Sequence, residues 1–178
     1  MAQLIISALG PDRPGLVGEL TAHLHSSGAN ILDSRMVNLR GQFALVILIE
    51  CDADAAGRLS NDLPSVGQKM GLNLDVTSQE ASSHAAAPAA GIPYKLKTYS
   101  MDQPGIIARL TGVLRALGVN IEDLSARQES AAFAGSPLFL TEMRITIPPA
   151  VALGKLRGEL EAVGNALNCD IDLDPAEG

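Results

Sequence analysis

Two short segments of this 178-residue chain combine residue types that suit the capture of a small anion. They are Asp12-Arg13-Pro14-Gly15-Leu16 and, ninety positions later, Asp102-Gln103-Pro104-Gly105-Ile106. We call them the first and the second corner. Each follows a short apolar run and opens a stretch with apolar residues at helical spacing, and Pro14 suits the first turn of that helix, where its missing N–H costs nothing. The first N–H groups of a helix lack partners and carry partial positive charge, and glycine lets an anion approach the backbone, so both corners predict a carboxylate site.

The flanking side chains suggest how such a site would work. Arg13 would add a charge-assisted hydrogen bond to the carboxylate. Asp12 would either cap the helix or receive the ammonium group of the ligand. The second corner has Gln103 in place of Arg13 and is the weaker candidate. The alternative is that proline and glycine only shape a tight turn at both corners.

The corners belong to a longer internal repeat, which indicates one fold present twice. Between Asp12 and Asp33, ten of twenty-two positions are identical to those ninety residues later, where chance predicts roughly one or two. The identical pairs are Asp12/Asp102, Pro14/Pro104, Gly15/Gly105, Leu20/Leu110, Thr21/Thr111, Leu24/Leu114, Gly28/Gly118, Asn30/Asn120, Ile31/Ile121 and Asp33/Asp123. The repeat resumes at an offset of ninety-seven in the second half of each copy.

The elements around each corner follow the order βαββαβ, with period-two runs as strands and leucine stripes as helices. Such a chain folds as a four-stranded antiparallel sheet with both helices on one face. The sequence therefore predicts an α+β protein of two ferredoxin-like domains, 1–79 and 93–174. Residues 80–92, rich in Ala, Ser and Pro, form the predicted linker.

The two copies differ in two predicted details. Pro64 interrupts the second helix of the first copy, and a kink or break is expected near Asp62. The second helix of the second copy, from Val151 to Leu167, should be unbroken. Residues 128–137 form an insertion between two strands of the second copy.

Composition excludes several classes of function. A net charge of −7 without a basic run argues against direct contact with nucleic acid or with an anionic membrane. No apolar stretch reaches membrane-spanning length, and no signal peptide follows Met1, so a cytoplasmic protein is expected. Cys51 and Cys169 are expected to be buried and reduced. No catalytic constellation, metal spacing or cofactor motif is evident, and a non-enzymatic protein is predicted.

The run Phe43 to Ile49 is apolar at every position, as in a strand buried on both faces. Because the helices cover only one face, something else must cover the other. The sister copy and a second chain are the candidates. We expect the two copies to pack together and the chain to form a homodimer.

The motifs resemble those of the ACT domain, a βαββαβ module that commonly senses amino acids. The resemblance consists of a strand, Asp-x-Pro-Gly opening a helix, and Gly-x-Asn-Ile opening the next strand, and it occurs twice. Two such domains without an attached enzyme are similar to the glycine cleavage system transcriptional repressor family. The Gly-Ser-Pro-Leu-Phe run at 135–139 agrees with that family, although Ala132-Phe133-Ala134 departs from its pattern.

The resemblance implies a regulator that binds a small amino acid, glycine first, and acts on a transcription activator protein. It also implies that a neighbouring domain contributes Asn30 and Ile31, or Asn120 and Ile121, to the ligand site. Each asparagine could instead simply favour a turn, and Asp33 and Asp123 could be solvated strand residues. The alternative functions are a constitutive protein-interaction module and a regulatory subunit that acts on a metabolic enzyme in trans.

Overall fold

A computed structural model describes residues 1–79, 90–130 and 137–176 of the chain. The chain divides into two compact units, Met1–Ala85 and Ala86–Gly178, which we call unit 1 and unit 2. Each unit contains four strands and two helices in the order βαββαβ. The predicted fold class, two ferredoxin-like domains, is confirmed. Most of the predicted linker and residues 131–136 of the predicted insertion lie outside the described residues.

Unit 1 is built from six elements joined by short turns. They are β1 (Ala2–Pro11), α1 (Leu16–Ser26), β2 (Asn30–Leu39), β3 (Gln42–Cys51), α2 (Ala53–Met70) and β4 (Asn73–Gln79). The sheet order is β2-β3-β1-β4, and each neighbouring pair is antiparallel. Gly28 and Gly71 follow the two helices with φ of 83° and 74°, left-handed values that glycine adopts without strain.

The core of unit 1 lies between the helices and one face of the sheet. Leucines spaced at helical intervals on α1 and α2 form one apolar stripe on each helix, and alternate residues of the central strands meet them. The fully buried members include Leu20, Leu24, Leu59, Leu63, Leu4, Ile6, Ile47 and Ile49. Both helices therefore cover the same face, as the sequence predicts.

Unit 2 repeats this plan with the second copy of the sequence. Its elements are β5 (Ile92–Met101), α3 (Ile106–Ala116), β6 (Asn120–Glu129), β7 (Leu138–Ile147), α4 (Leu153–Leu167) and β8 (Cys169–Pro175). The sheet order is β6-β7-β5-β8, again antiparallel throughout. Strand β6 continues to Glu129, so the first two residues of the predicted insertion, Gln128 and Glu129, belong to the sheet.

Of the kink or break predicted near Asp62, the structure excludes the break. Helix α2 is continuous over Ala53–Met70 with Pro64 inside it. Pro64 lies on the exposed side of the helix, so the carbonyl group that its missing N–H leaves unpaired can be hydrated. Leu59 and Leu63 are buried on the opposite side and hold the helix against the sheet. Packing of this apolar stripe thus outweighs the local preference of proline.

The sheet faces that carry no helices differ between the units. In unit 1 this open face carries seven apolar residues among polar and charged ones, and Val46 at its centre is 49% exposed. Its apolar members are Ile5, Leu9, Val37, Leu39, Ala44, Val46 and Leu48. Strand β3 is therefore covered on only one side within unit 1. That the sister copy or a second chain covers the other side stays a prediction. The open face of unit 2 carries mostly charged residues at the same register positions.

Both cysteines, Cys51 and Cys169, are free and buried, as predicted. Burial raises the pKa of the Cys51 thiol, and the neighbouring Asp52 raises it further. Across the helices that the structure describes, none has the length and apolarity that crossing a membrane requires.

Candidate functional site

The first corner presents a helix start whose amides no side chain caps. Gly15 is the N-cap residue of α1, with φ of 94° and ψ of −12°, and no side chain hydrogen-bonds to the cap. The first helical hydrogen bond runs from the N–H of Glu19 to the carbonyl of Gly15 at 2.9 Å. The helix begins at Leu16, so Pro14 lies outside its first turn, contrary to prediction. Gly15 itself, in the left-handed conformation, lies between Pro14 and the first residue of the helix.

Asp12 does not cap the helix, which excludes one of its two predicted roles. Its carboxylate accepts a hydrogen bond from the side-chain amide of Asn38, with Oδ2 2.5 Å from Nδ2. Its backbone N–H donates to the carbonyl of Gly41 at 2.8 Å. The N–H of Gly41 in turn donates to Oδ1 of Asn38 at 3.0 Å. Asn38 therefore ties the first corner to the turn between β2 and β3.

The second corner is built in the same way. The side-chain amide of Gln128 donates to Oδ2 of Asp102 at 2.7 Å, and the N–H of Asp102 donates to the carbonyl of Pro137 at 3.0 Å. Gly105 is the N-cap of α3, with φ of 94° and no side-chain cap. Sequence reasoning missed Asn38 and Gln128, although they match at the repeat offset of ninety and both end in an amide.

Arg13 already has a partner within unit 1. Its guanidinium makes a two-pronged ion pair with the carboxylate of Glu19, at 2.6 and 2.8 Å. The hydrogen bond from Arg13 lowers the pKa of Glu19, and the same bond raises the pKa of Arg13. Both side chains are about half exposed, so a ligand carboxylate can still compete for the guanidinium.

Gln103, at the position matching Arg13, is engaged differently. Its side-chain amide donates to the carbonyl of Leu167 at 2.5 Å, at the C-terminal end of α4. This bond satisfies one of the carbonyl groups that a helix leaves without a partner at its end. Gln103 thus has a structural role, which favours the first corner over the second as the ligand site.

A cavity of about 350 Å³ lies beside the first corner. That volume is within the roughly 300–1,000 Å³ typical of small-molecule sites. Its wall combines the corner itself, the first turn of α1 and two apolar side chains from the sheet. The lining residues are Asp12, Arg13, Pro14, Gly15, Leu16, Val17, Gly18, Met36 and Phe43. A free helix start, a guanidinium, a carboxylate and an apolar floor therefore meet in one place.

Asn30 does not share this cavity. It lies at the start of β2, eight residues before Asn38, which places it about 26 Å from the corner at the usual strand rise of 3.3 Å per residue. Its side-chain amide donates to Oε1 of Glu50 at 3.2 Å. With Ile31 it lines a second cavity of about 430 Å³ beside the C-terminal half of α1. Within unit 1, the two parts of the predicted site are thus at opposite ends of β2.

The same separation holds in unit 2, because Asn120 precedes Gln128 by eight residues on β6. Ile121 is the residue directly after Asn120. The two aspartates that follow these motifs lie on exposed strands. Asp33 accepts hydrogen bonds from the guanidinium of Arg35 and the N–H of Ser34, at 2.5 and 2.7 Å. This exposed pairing agrees with the interpretation of Asp33 as a solvated strand residue.

Comparison with known proteins identifies the family of unit 1. A family model for the ACT domain matches residues 2–77, which is nearly all of the described part of unit 1. Unit 1 therefore contains an ACT domain. Over 128 residues the chain is 32% identical to the glycine cleavage system transcriptional repressor of Escherichia coli (strain K12). That alignment covers 72% of this chain and 66% of the repressor, just under two thirds of the repressor's length.

Solved structures extend the likeness to both units. An unknown protein from Galdieria sulphuraria is 28% identical, with a TM-score of 0.79 over 99% of each chain. A structure provisionally assigned as a glycine cleavage system transcriptional repressor is 24% identical, with a TM-score of 0.69 over 99% of this chain and 98% of that one. The second likeness shows the fold alone. The predicted resemblance to tandem ACT-domain proteins is confirmed, and a regulatory role is supported.

Proposed function

We propose that this chain is a non-enzymatic regulator that binds a small amino acid at the first corner and acts through a protein partner. Glycine is the first candidate, because the repressor that the chain resembles is named for the glycine cleavage system. The same resemblance supports a transcription activator as the partner and the cytoplasm as the location. The net charge of −7 favours contact with a protein over contact with nucleic acid.

One observation carries the ligand-binding part of this proposal. The uncapped helix start at Gly15 lies beside a cavity that also exposes Arg13 and Asp12. The helix amides and Arg13 provide the positive charge that a carboxylate requires, and Asp12 provides the negative charge for an ammonium group. Opposite charges in one small cavity suit a zwitterion, the form of a free amino acid at neutral pH.

Isothermal titration calorimetry of the whole chain against each common amino acid tests the proposal. Saturable binding of glycine or another small amino acid is expected. If no amino acid binds, the sensing function is excluded, and constitutive protein interaction becomes the better reading. That alternative has support in the structure, because Arg13 and Asp12 already bond to Glu19 and Asn38 without any ligand.

Two glycine variants locate the site. Gly15→Ala and Gly105→Ala place a methyl group at the same backbone geometry, φ of 94°, and each should cost about 1 kcal/mol of stability. The added Cβ would lie 3.4 Å from Glu19 Oε1 at the first corner and would meet nothing within 4 Å at the second. Binding should weaken with Gly15→Ala and be retained with Gly105→Ala. Unchanged binding in both variants would show that the ligand binds at neither corner.

We further propose that the chain forms a homodimer through the open sheet face of unit 1. A group of exposed apolar residues on one face of a folded unit commonly marks an interface. The matching face of unit 2 is charged, so a second copy of the apolar face is the better complement.

Light scattering as a function of concentration tests the dimer. The wild type should approach twice the chain mass, and Val46→Lys, at the centre of the face, should yield a monomer because it buries an unpaired charge. Gln68→Lys, on the exposed side of α2 and so away from the open sheet face, is the control and should leave the dimer intact. A wild-type mass that stays at one chain across all concentrations would exclude the dimer.

A further inference from the structure

Another cavity, of about 480 Å³, lies on the open face of unit 2. More charged side chains line it than line the cavity at the first corner. Three cationic and three carboxylate side chains line it, together with a methionine and the end of β8. The charged members are Lys95, Lys97, Arg144, Asp123, Glu142 and Asp174. Its size falls within the rough 300–1,000 Å³ range of small-molecule sites.

The strand register sets four of these charges in one row across the sheet. Asp123 on β6 is directly opposite Arg144 on β7, which is opposite Lys95 on β5, which is opposite Asp174 on β8. Directly opposite residues in an antiparallel sheet point to the same face. The row thus reads negative, positive, positive, negative, and the two cations are immediate neighbours.

Placing like charges directly opposite each other destabilises a sheet. Neighbouring carboxylates relieve the repulsion only in part: Lys95 pairs with Glu142, and Arg144 Nε lies 3.3 Å from Glu122 Oε2. Lys97 makes no ion pair or hydrogen bond with any residue that the structure describes. The three cations and three carboxylates of the cavity balance, so a ligand that carries both a negative and a positive group matches the lining better than a simple anion.

Unit 1 shows that the fold does not need these cations. The register position of Lys95 is occupied in unit 1 by Ile5, and that of Arg144 by Leu48, and these two residues are directly opposite each other in β1 and β3. The carboxylate at one end of the row is present in both units, as Asp33 and Asp123. Two copies of one fold thus carry an apolar pair and a cationic pair at the same place, so the cations are a property of unit 2 alone.

We propose that this cavity binds a small molecule with an anionic head group, carboxylate or phosphate, and an ammonium group several bonds away. The head group lies over Lys95 and Arg144, with Lys97 beside it, and the ammonium reaches Asp123 or Asp174. Adjacent strands are about 4.8 Å apart, so the midpoint of the cationic pair is about 7 Å from the backbone of either outer aspartate. That span suits an ω-amino acid or an aminoalkyl phosphate better than an α-amino acid, whose two charges are adjacent.

The test is calorimetry of the whole chain with probes that carry one or both charges. 6-Aminohexanoate and 3-aminopropyl phosphate carry both charges, and hexanoate, inorganic phosphate and hexylamine carry one. Binding of either two-charge probe, at least about tenfold tighter than its one-charge analogues, supports the proposal and identifies the preferred head group. If no probe binds, or if all bind equally weakly, the charges form only a solvated surface and the proposal fails.

Variants that copy unit 1 locate the binding. Lys95→Ile combined with Arg144→Leu introduces the pair that the same fold already tolerates, and it should weaken binding by about tenfold or more. Circular dichroism shows whether the double variant is folded. If it is not, Lys95→Gln alone takes its place and should also weaken binding. Asp123→Asn combined with Asp174→Asn should weaken the binding of 6-aminohexanoate and spare that of hexanoate. Arg58→Gln, an exposed arginine on α2, is the control for lost positive charge.

This site is independent of the first corner. Gly15→Ala should leave the binding of 6-aminohexanoate unchanged, and the double variant should leave glycine binding unchanged. Retained binding of a two-charge probe by a correctly folded double variant would overturn the assignment to this cavity, whatever the outcome at the corner.

Discussion

Asn38 donates its side-chain amide to the carboxylate of Asp12 across 2.5 Å, and Gln128 makes the corresponding bond to Asp102 at 2.7 Å. Each amide residue lies near the end of a strand, twenty-six positions after the aspartate that it binds. The bond fixes the loop that precedes each helix against the neighbouring strand. In both units it therefore positions the N-cap glycine and the amides behind it.

Removing this amide should loosen the corner. Asn38→Ala should lower the free energy of unfolding by about 1 kcal/mol, because the bond to a charged acceptor is solvent-exposed. Asn38→Gln, which copies unit 2, should retain most of that stability. Urea denaturation followed by circular dichroism measures both variants. Equal losses in the two variants would show that the corner needs the specific length of asparagine.

The ion pair between Arg13 and Glu19 should make stability depend on pH. Because Arg13 holds the pKa of Glu19 below its ordinary value, the pair stabilises the fold above the pKa of an unfolded glutamate. That contribution is lost as the pH falls through the lowered pKa of the folded state. The difference in stability between wild type and Arg13→Gln should therefore be present at neutral pH and vanish in acid.

The pKa itself can be followed by NMR of the Glu19 side-chain carboxyl carbon. In Arg13→Gln it should rise towards the ordinary value, and high salt should reduce the difference from wild type, because both side chains are exposed. A pKa of Glu19 that does not respond to the loss of Arg13 would show that the pair does not persist in solution.

Pro64 should destabilise the helix that contains it. Pro64→Ala restores the hydrogen bond to the carbonyl of Ser60 and should raise the free energy of unfolding by about 2 kcal/mol. Thermal and urea denaturation measure the gain, and Gln68→Ala, also exposed on α2, serves as the control. A loss of stability with Pro64→Ala would show that proline stabilises this helix through the unfolded state.

Two glycines of α4 should respond in opposite directions to the same change. A Cβ at Gly164 would lie 2.8 Å from the carbonyl oxygen of Cys169, so Gly164→Ala should destabilise unit 2 by about 1–3 kcal/mol. A Cβ at Gly158 would meet nothing within 4 Å, so Gly158→Ala should stabilise the helix by up to about 1 kcal/mol. Denaturation curves that shift in the same direction for both variants would contradict this packing.

Gly67, which matches Gly164 in the repeat, faces the same constraint in unit 1. An added Cβ there would lie 2.7 Å from Cγ of Leu74 and 2.8 Å from the carbonyl oxygen of Leu72. The repeated glycine thus marks a close approach between the second helix and the last strand of each unit.

The prediction from sequence was accurate for features that depend on residues close together in the chain. The order of elements, the helix stripes and the buried cysteines follow from periodicity and from residue type, and the structure has them. It was wrong about a helix break near Pro64 and about the place of Pro14 in the first helix. At Pro64, packing of Leu59 and Leu63 outweighs local preference. At Pro14, the left-handed turn of Gly15 places the start of the helix two positions later, at Leu16.

The candidate site was predicted only in part, because some of its contacts join residues that lie far apart in the sequence. Sequence motifs located the glycine, the arginine and the aspartate of the first corner. They did not reveal that Asn38 holds Asp12, because the two residues lie on different elements. The contribution of Asn30 from a neighbouring domain stays a prediction, since β2 separates Asn30 from the corner of its own unit.

The sequence by itself determined that one fold occurs twice, which elements it contains and where a helix start is left open to an anion. These conclusions depend on identity at a fixed offset and on spacing along one segment, both of which are readable without coordinates. Tertiary structure alone decided which side chains hold the corner, that Arg13 is paired, and that Lys95 and Arg144 are neighbours on an open face. The bond from Asn38 to Asp12 and the position of Lys95 beside Arg144 depend on the register between strands distant in the chain, and a shift of one residue would turn each strand side chain to the other face.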